Sequence, residues 1–396
     1  MIRIAWARLS SLSSLEGPAS LMRGGPLDGL LLAGGRDVVQ TLIGLLPELR
    51  RRRITVLASL DEGHPRKAAE VLLAAHPAAR IAAVQGHALE QAALGAALPA
   101  GLTSIGVLAP AALLARATAA GAEVVLAGAA LPESLAAALA LHRFGWAQDD
   151  YCRLAGAAVA GHILAAGPLA CGGGAGHDWQ TLSSPATIDG PVAELEPDGS
   201  CTITRHAASG GEVSPHSVVE ALLDGIGDPR AVETPDCRID LARLSVRATG
   251  PDRVRVAGAA GLPPASGLAA VRAKSGWRVT AVVVCPAPAA LEKAYAADRL
   301  LRERASLLSL PVDEIHSEFL GAGADAGEVV WRAAIGCPSA AAAQLAVREI
   351  DAVIRRGPPG VFAVAGAGAP CVEEIITRSI CPIPASASAL TFEVLS

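Results

Sequence analysis

The stretch from Ala160 to Trp179 holds the densest set of groups with chemical use in this sequence. His162 sits in an alanine-rich apolar run. Imidazole is the side chain best suited to moving protons near neutral pH. After Gly167 the chain opens into Cys171-Gly172-Gly173-Gly174-Ala175-Gly176-His177-Asp178-Trp179. Glycines in series bring backbone N–H groups close to an anion or a carbonyl oxygen, which suits a carboxylate, a thioester or a phosphate. His177 and Asp178 add two titratable groups, and the Cys171 thiol just past a helix is a candidate nucleophile. Each has a structural reading as well. His162 can be a satisfied core histidine, His177 and Asp178 a turn, Cys171 inert packing and the glycines a plain loop. His162, His177 and Asp178 could together hold a metal, but no HxH or HExxH spacing supports this, and no metal is expected.

A second group runs from Thr204 to Glu212 and contains Arg205, His206, Gly210 and Gly211. It joins a strand to a helix starting near Pro215, so its amides and the fixed charge of Arg205 suit a bound carboxylate or phosphate. An exposed strand end with a capping loop explains it equally well. Gly366-Ala367-Gly368 lacks the full glycine pattern and the ribose-binding acid of a nucleotide loop.

The elements that must carry these residues show two rhythms. In the first half, short β-branched runs alternate with alanine-rich helical stretches, which predicts a parallel sheet with helical crossovers. Strands are expected over 27–32, 54–57, 80–85 and 123–127. Helices are expected over 37–52, 64–75, from Pro110 to Gly121, and over 132–143 and 151–166. Ligands of such sheets bind beyond the carboxyl ends of the strands, here the loops around Gly34, Asp61, Gly86 and Gly128. After Pro185 hairpins begin, at Pro197-Asp198-Gly199-Ser200 and Gly250-Pro251-Asp252. A β-α-β-β-α order follows, with strands over 277–285, 315–319 and 329–335 and helices over 287–305 and 339–355. The expected fold is α/β, with a parallel Rossmann-like lobe over 1–185 that ends in the glycine-rich loop and a second α+β lobe over 186–396 with a mixed or antiparallel sheet. The segment from Cys171 to Gly176 should then lie where the lobes meet.

Composition narrows the classes. Of 396 residues, 52% are hydrophobic and only 3% aromatic, so the cores must be built of small side chains in close contact. A net charge of −5 gives no footprint for nucleic acid. Arg50 to Arg53 is a basic run that reads as a solvated helix C-terminus. Eight cysteines without a CxxC pair fit neither a disulfide scaffold nor a zinc ribbon. The residues after Met1 do not form a signal-peptide core, and the apolar run 154–170 is too short and too rich in glycine for a membrane span. A cytoplasmic protein is expected.

Phe144-Gly145-Trp146, Asp149-Asp150, Gly161-His162-Ile163-Leu164, Gly172-Gly173 and Asp178-Trp179 open a collinear series of motifs, by which the chain, from about Asp149 to Pro264, resembles the acyclic terpene utilisation (AtuA) family. The series continues at Pro191-Val192-Ala193-Glu194, Asp198-Gly199-Ser200, Thr204-Arg205-His206, Gly210-Gly211, Gly227-Asp228-Pro229-Arg230, Thr234-Pro235-Asp236 and 250–256. Weaker similarity reaches Arg348-Glu349 and Gly357-Pro358. Several family positions differ: Ala33 to Arg36 is shortened, and Ala129, Ala165 and Cys171 stand where the family carries polar groups. The resemblance implies a place in acyclic isoprenoid and acyl-CoA catabolism. Addition or elimination on a small branched or hydroxylated acyl-CoA or carboxylic acid suits the residues, with His162, His177, Asp178 and Cys171 as catalytic candidates. Gly172, Gly173, Gly174, Arg205, His206, Gly210 and Gly211 are the substrate-binding candidates. No cofactor is expected, a coenzyme A thioester being a candidate substrate. The expected partners are the acyl substrate and further copies of the chain, or a small companion subunit, with neither nucleic acid nor membrane. Alternatives are a non-catalytic subunit of an acyl-processing pathway and a metal-assisted hydrolase.

Overall fold

Eight residues that carried no strand expectation, β1 (Ile2–Leu9), hold the largest sheet together. The computed structural model describes residues 1–9, 17–61, 63–86, 99–174, 180–323, 327–364, 370–384 and 389–396. These divide into two compact units: Met1–Ala97, Ile105–Ala270 and Ile380–Ser396 form the first, and Leu98–Ser104 with Val271–Ser379 the second.

In the first unit β1 is followed by α1 (Gly17–Gly24), β2 (Gly29–Gly34), α2 (Arg36–Arg52), β3 (Thr55–Ser59), α3 (Pro65–Ala75) and β4 (Ile81–Gly86). After β5 (Leu102–Val107) come α4 (Ala111–Ala119), β6 (Val124–Ala127), α5 (Pro132–Phe144) and α6 (Tyr151–Ala165). β1, β2, β3, β6 and β4 lie side by side and parallel. Their runs are nearly pure Leu, Val, Ile and Ala because both faces are covered. Alternate residues separate two cores. Leu30, Leu32, Val56, Ala58, Val124 and Leu126 meet α2 and α3, whereas Leu31, Leu57, Val125 and Ala127 face the alanine-rich packing of α4, α5 and α6.

The chain then adds β7 (Val192–Leu195), β8 (Cys201–Thr204) and α7 (Pro215–Leu223), followed by β9 (Val232–Glu233), β10 (Arg238–Asp240), β11 (Ser245–Gly250), β12 (Arg253–Ala257) and β13 (Ala260–Leu262). β7 pairs antiparallel with β1, and β8, β12 and β11 continue the same sheet outward. The expected division at 185/186 therefore falls elsewhere, since residues 186–270 belong to the first unit. The change of rhythm at Pro185 marks a switch from parallel to antiparallel pairing within one sheet. It does not mark a new domain, because the free edge of β1 accepts β7.

The second unit is built on β14 (Gly267–Pro286) from Val271 onward, with α8 (Ala290–Leu307), β15 (Glu314–Leu320), β16 (Glu328–Cys337), α9 (Ala340–Arg356), β17 (Phe362–Ala363) and β18 (Cys371–Ile383). β15, β16 and β14 are antiparallel neighbours. Val279, Ala281 and Val283 alternate inward with Trp331, Ala333 and Ile335, and α8 and α9 cover them through Ala294, Leu301, Ala346 and Ile350. Trp331 is fully buried, and its indole N–H donates to Ser317 Oγ at 3.1 Å. This is the α+β arrangement that the β-α-β-β-α order predicts. The final strand, β19 (Leu390–Leu395), returns to the first unit and pairs antiparallel with β4. The protein is thus mixed α/β, with a large sheet that is parallel at its centre.

Candidate functional site

The two histidines nearest the expected site have opposite surroundings. α6 comes close to the start of α5 at Gly161, where a Cβ would run into the Pro132 carbonyl. The next residue, His162, thereby meets Glu133. Its Nδ1 lies 2.9 Å from Glu133 Oε1 and its Nε2 lies 3.1 Å from the Asp224 carbonyl. Burial disfavours the charged ring, but the hydrogen bond and charge of Glu133, with the Asp224 and Leu222 carbonyls, outweigh it and raise the pKa. Both ring nitrogens are engaged as donors, so the ring braces α5, α6 and the end of α7.

The glycine segment is equally well satisfied. A 3-10 turn, Gly167–Cys171, ends with Gly172 at φ 82°. The amides of Gly172 and Gly173 donate to the carbonyls of Leu169 and Pro168, and those of Gly210 and Gly211 to Thr187 and Ser183. Four of the expected oxyanion donors are therefore occupied by the chain itself. Cys171 is fully buried, its carbonyl accepts from the Glu212 amide, and burial pushes its thiol up to about 12. Such a thiol is protonated at neutral pH and packs the core, unlike the accessible low-pKa thiolate that the nucleophile reading calls for. The segment from Cys171 to Gly174 lies within the first unit, with Gly173 against Pro168. His177 and Asp178 lie outside the described residues.

Arg205 and His206 follow the end of β8, and consecutive side chains of an extended chain diverge. Arg205 turns to Asp252, with Nη2 2.8 Å from Oδ2, and also donates to the Ser209 carbonyl. Asp252 Oδ1 accepts from the Val213 amide, so this pair fastens a loop. His206 turns the other way, against α1, and is 4% exposed. It hydrogen-bonds the Leu21 backbone, while Nε2 is buried and has no partner among the described residues. Burial first, and then the charge of Arg3, hold its pKa below the ordinary histidine value. The ring is neutral at pH 7.

His206 lines a cavity of about 750 Å³ in the first unit. The cavity sits where β1 ends and the chain enters β7, at the seam between the parallel and antiparallel parts of the sheet. Trp6, Leu21, Pro168 and Ile188 give it apolar wall; Arg8, Arg23, Ser20, Asp189 and Ser209 give it polar groups. Asp189 accepts from Ser20 at 2.7 Å, which ties the loop before β7 to α1. A smaller cavity of about 220 Å³, lined by Gly63, His64, Gly86 and Gly128, lies at the carboxyl ends of β3, β4 and β6. Sequence reasoning found His206 and the rule that ligands gather at strand ends. It missed the β1 end, because Ile2–Leu9 was not read as a strand, and with it Trp6, Arg8, Ser20, Arg23 and Asp189. The alternation of Ile2, Ile4 and Trp6 was the available signal.

A doubly covered α/β sheet here carries a half-polar cavity at a strand end, the place where ligands of such sheets commonly sit. The family profile described as acyclic terpene utilisation family protein AtuA matches residues 35–392, and the chain belongs to that family. The match is far wider than the central segment that carries the motifs. A search of curated proteins found no match. Among the described residues no helix is long and apolar enough to cross a membrane, and no group of three or more His, Cys, Asp or Glu residues is placed to hold a metal ion.

Proposed function

We propose that this protein is an enzyme that adds water to, or eliminates it from, a small branched or hydroxylated acyl compound, bound in the cavity at the end of β1. The observation that carries the reading is a neutral histidine, its Nε2 buried and without a partner among the described residues, among the residues that line the largest of the cavities described. Volumes of this order suit small-molecule ligands, and family membership supports an acyclic, branched carbon chain. Trp6, Leu21 and Ile188 would hold that chain. In the dehydration direction His206 Nε2 takes the proton from the carbon next to the carbonyl. The electron pair left behind forms the carbon–carbon double bond, and the β-hydroxyl leaves as water with the proton returned from the imidazolium. No redox cofactor enters this balance. We further propose a cytoplasmic homo-oligomer or a complex with a small companion subunit, which light scattering tests.

The test is to incubate the protein with branched 3-hydroxyacyl and 2-enoyl compounds, as free acids and as coenzyme A thioesters, and to follow the mass of one water. Gain or loss that disappears in His206→Asn is the expected result. No mass change with any of them would remove the enzymatic reading and favour the non-catalytic subunit. That second reading has its own support in the glycine amides and the Cys171 thiol, which the fold already uses.

A further inference from the structure

We infer that the cavity takes an anionic small molecule, a carboxylate or phosphate head on an apolar body, and that Arg23 is its counter-charge. The inference rests on the preceding proposal that this cavity is the substrate site. Two arginines are among its lining residues, Arg8 and Arg23, and both are exposed. Arg8 is paired with Asp61, 3.1 Å from Nη1 to Oδ2. The cavity's carboxylate, Asp189, accepts from Ser20 and makes no ion pair among the described residues. Arg23 has no hydrogen-bond or ion-pair partner among the described residues.

His206 brings no compensating or competing charge, because burial and then the charge of Arg3 hold its pKa down. An exposed arginine without a partner, beside a half-apolar hollow, favours a ligand whose one end is anionic. Arginine matches the two oxygens of a carboxylate or phosphate with paired N–H donors. Trp6, Leu21, Pro168 and Ile188 then receive the apolar body. Arg23 also stands in the last turn of α1, where a cation offsets the helix dipole whatever the cavity binds. That role would contribute to stability without selecting a ligand.

The experiment is calorimetric binding of octanoate, octyl phosphate and octanamide to the full chain, wild type and Arg23→Gln, with Arg23→Lys as the charge-retaining control. The expected result is that one or both anions bind about tenfold or more tighter than the amide. Arg23→Gln should erase that preference without changing amide affinity, and Arg23→Lys should restore part of it. Tighter octanoate assigns the head as carboxylate, and tighter octyl phosphate as phosphate. Equal binding of amide and anions, no binding of any probe, or a preference that survives in Arg23→Gln would overturn the inference. A lowered Tm with the preference intact would leave Arg23 as a helix-terminal cation only. Turnover that depends on His206 without anion preference sinks this inference alone. Arg23-dependent anion binding without turnover sinks the enzymatic reading alone.

Discussion

His162 and His206 differ in what surrounds them far more than in how deeply they are set. The brace between α5, α6 and the end of α7 gives His162 a carboxylate and a carbonyl, and so favours its charged form and fixes the ring. The cavity wall gives His206 one backbone partner and leaves it neutral. A buried ring with both nitrogens engaged stabilises a fold. A ring with one nitrogen unengaged costs about 1–3 kcal/mol of lost hydrogen bonding, which a folded chain keeps where the group has another use. Motif position points to His162 and physical environment points to His206.

The sharpest way to break this contrast is to exchange each ring for asparagine and read turnover and Tm on the same samples. His206→Asn should lower turnover by roughly two to four orders of magnitude while Tm changes little. His162→Asn should keep turnover per folded molecule and lower Tm. The reverse pattern would return catalysis to the motif histidine.

A second test probes the ground beneath the brace. Asp236 accepts from the Ala111 amide at 2.5 Å and from Ser134 Oγ at 2.6 Å, and burial pushes its pKa up to about 6. An unfolded aspartate ionises at lower pH, so the native state holds the proton longer, and stability falls as pH rises from about 4 to about 6. Asp236→Asn should remove that slope, worth on the order of 2–3 kcal/mol by linkage, in urea titrations at pH 4 and pH 7. An unchanged slope would place the titration elsewhere.

The brace itself has the opposite sign. The raised pKa of His162 means that its pairing is fully stabilising below the unfolded histidine value and is lost as pH rises through the folded one. His162→Ala should therefore cost about 1–3 kcal/mol near pH 5.5 and distinctly less near pH 9, with denaturant midpoints as the measure.

Smaller effects separate the cavity wall from ordinary surface. A Cβ at Gly24 would lie 2.6 Å from the His206 ring, so Gly24→Ala should displace the ring and lower turnover about tenfold. Gly44, in α2, has open space around it. Gly44→Ala should leave turnover alone and stabilise by roughly 0.5–1 kcal/mol, as thermal unfolding would show. Equal behaviour of the two variants would mean that the ring tolerates movement.

Much of the architecture was legible in the chain. Runs such as Leu30–Ala33 and Val124–Ala127 are continuous because a strand covered on both faces has no polar side, and Pro132 and Gly145 bound α5 where helix chemistry requires them. The motif series from Phe144 onward carried the family, and the turn at Gly199 followed from its need for positive φ. Pairing partners were decided only in three dimensions. That β7 lies against β1, and so keeps 186–270 in the first unit, depends on contacts between residues nearly two hundred positions apart. The same is true of the site. Glu133 and Asp224 reach His162 from other helices, the carbonyls that occupy the glycine amides come from other turns, and the cavity gathers β1, α1 and the loops before β7 and after β8. Local sequence sets which side chain is offered. Whether its polar atoms are satisfied depends on groups brought from afar, and that is why the tertiary structure alone set His162 apart from His206.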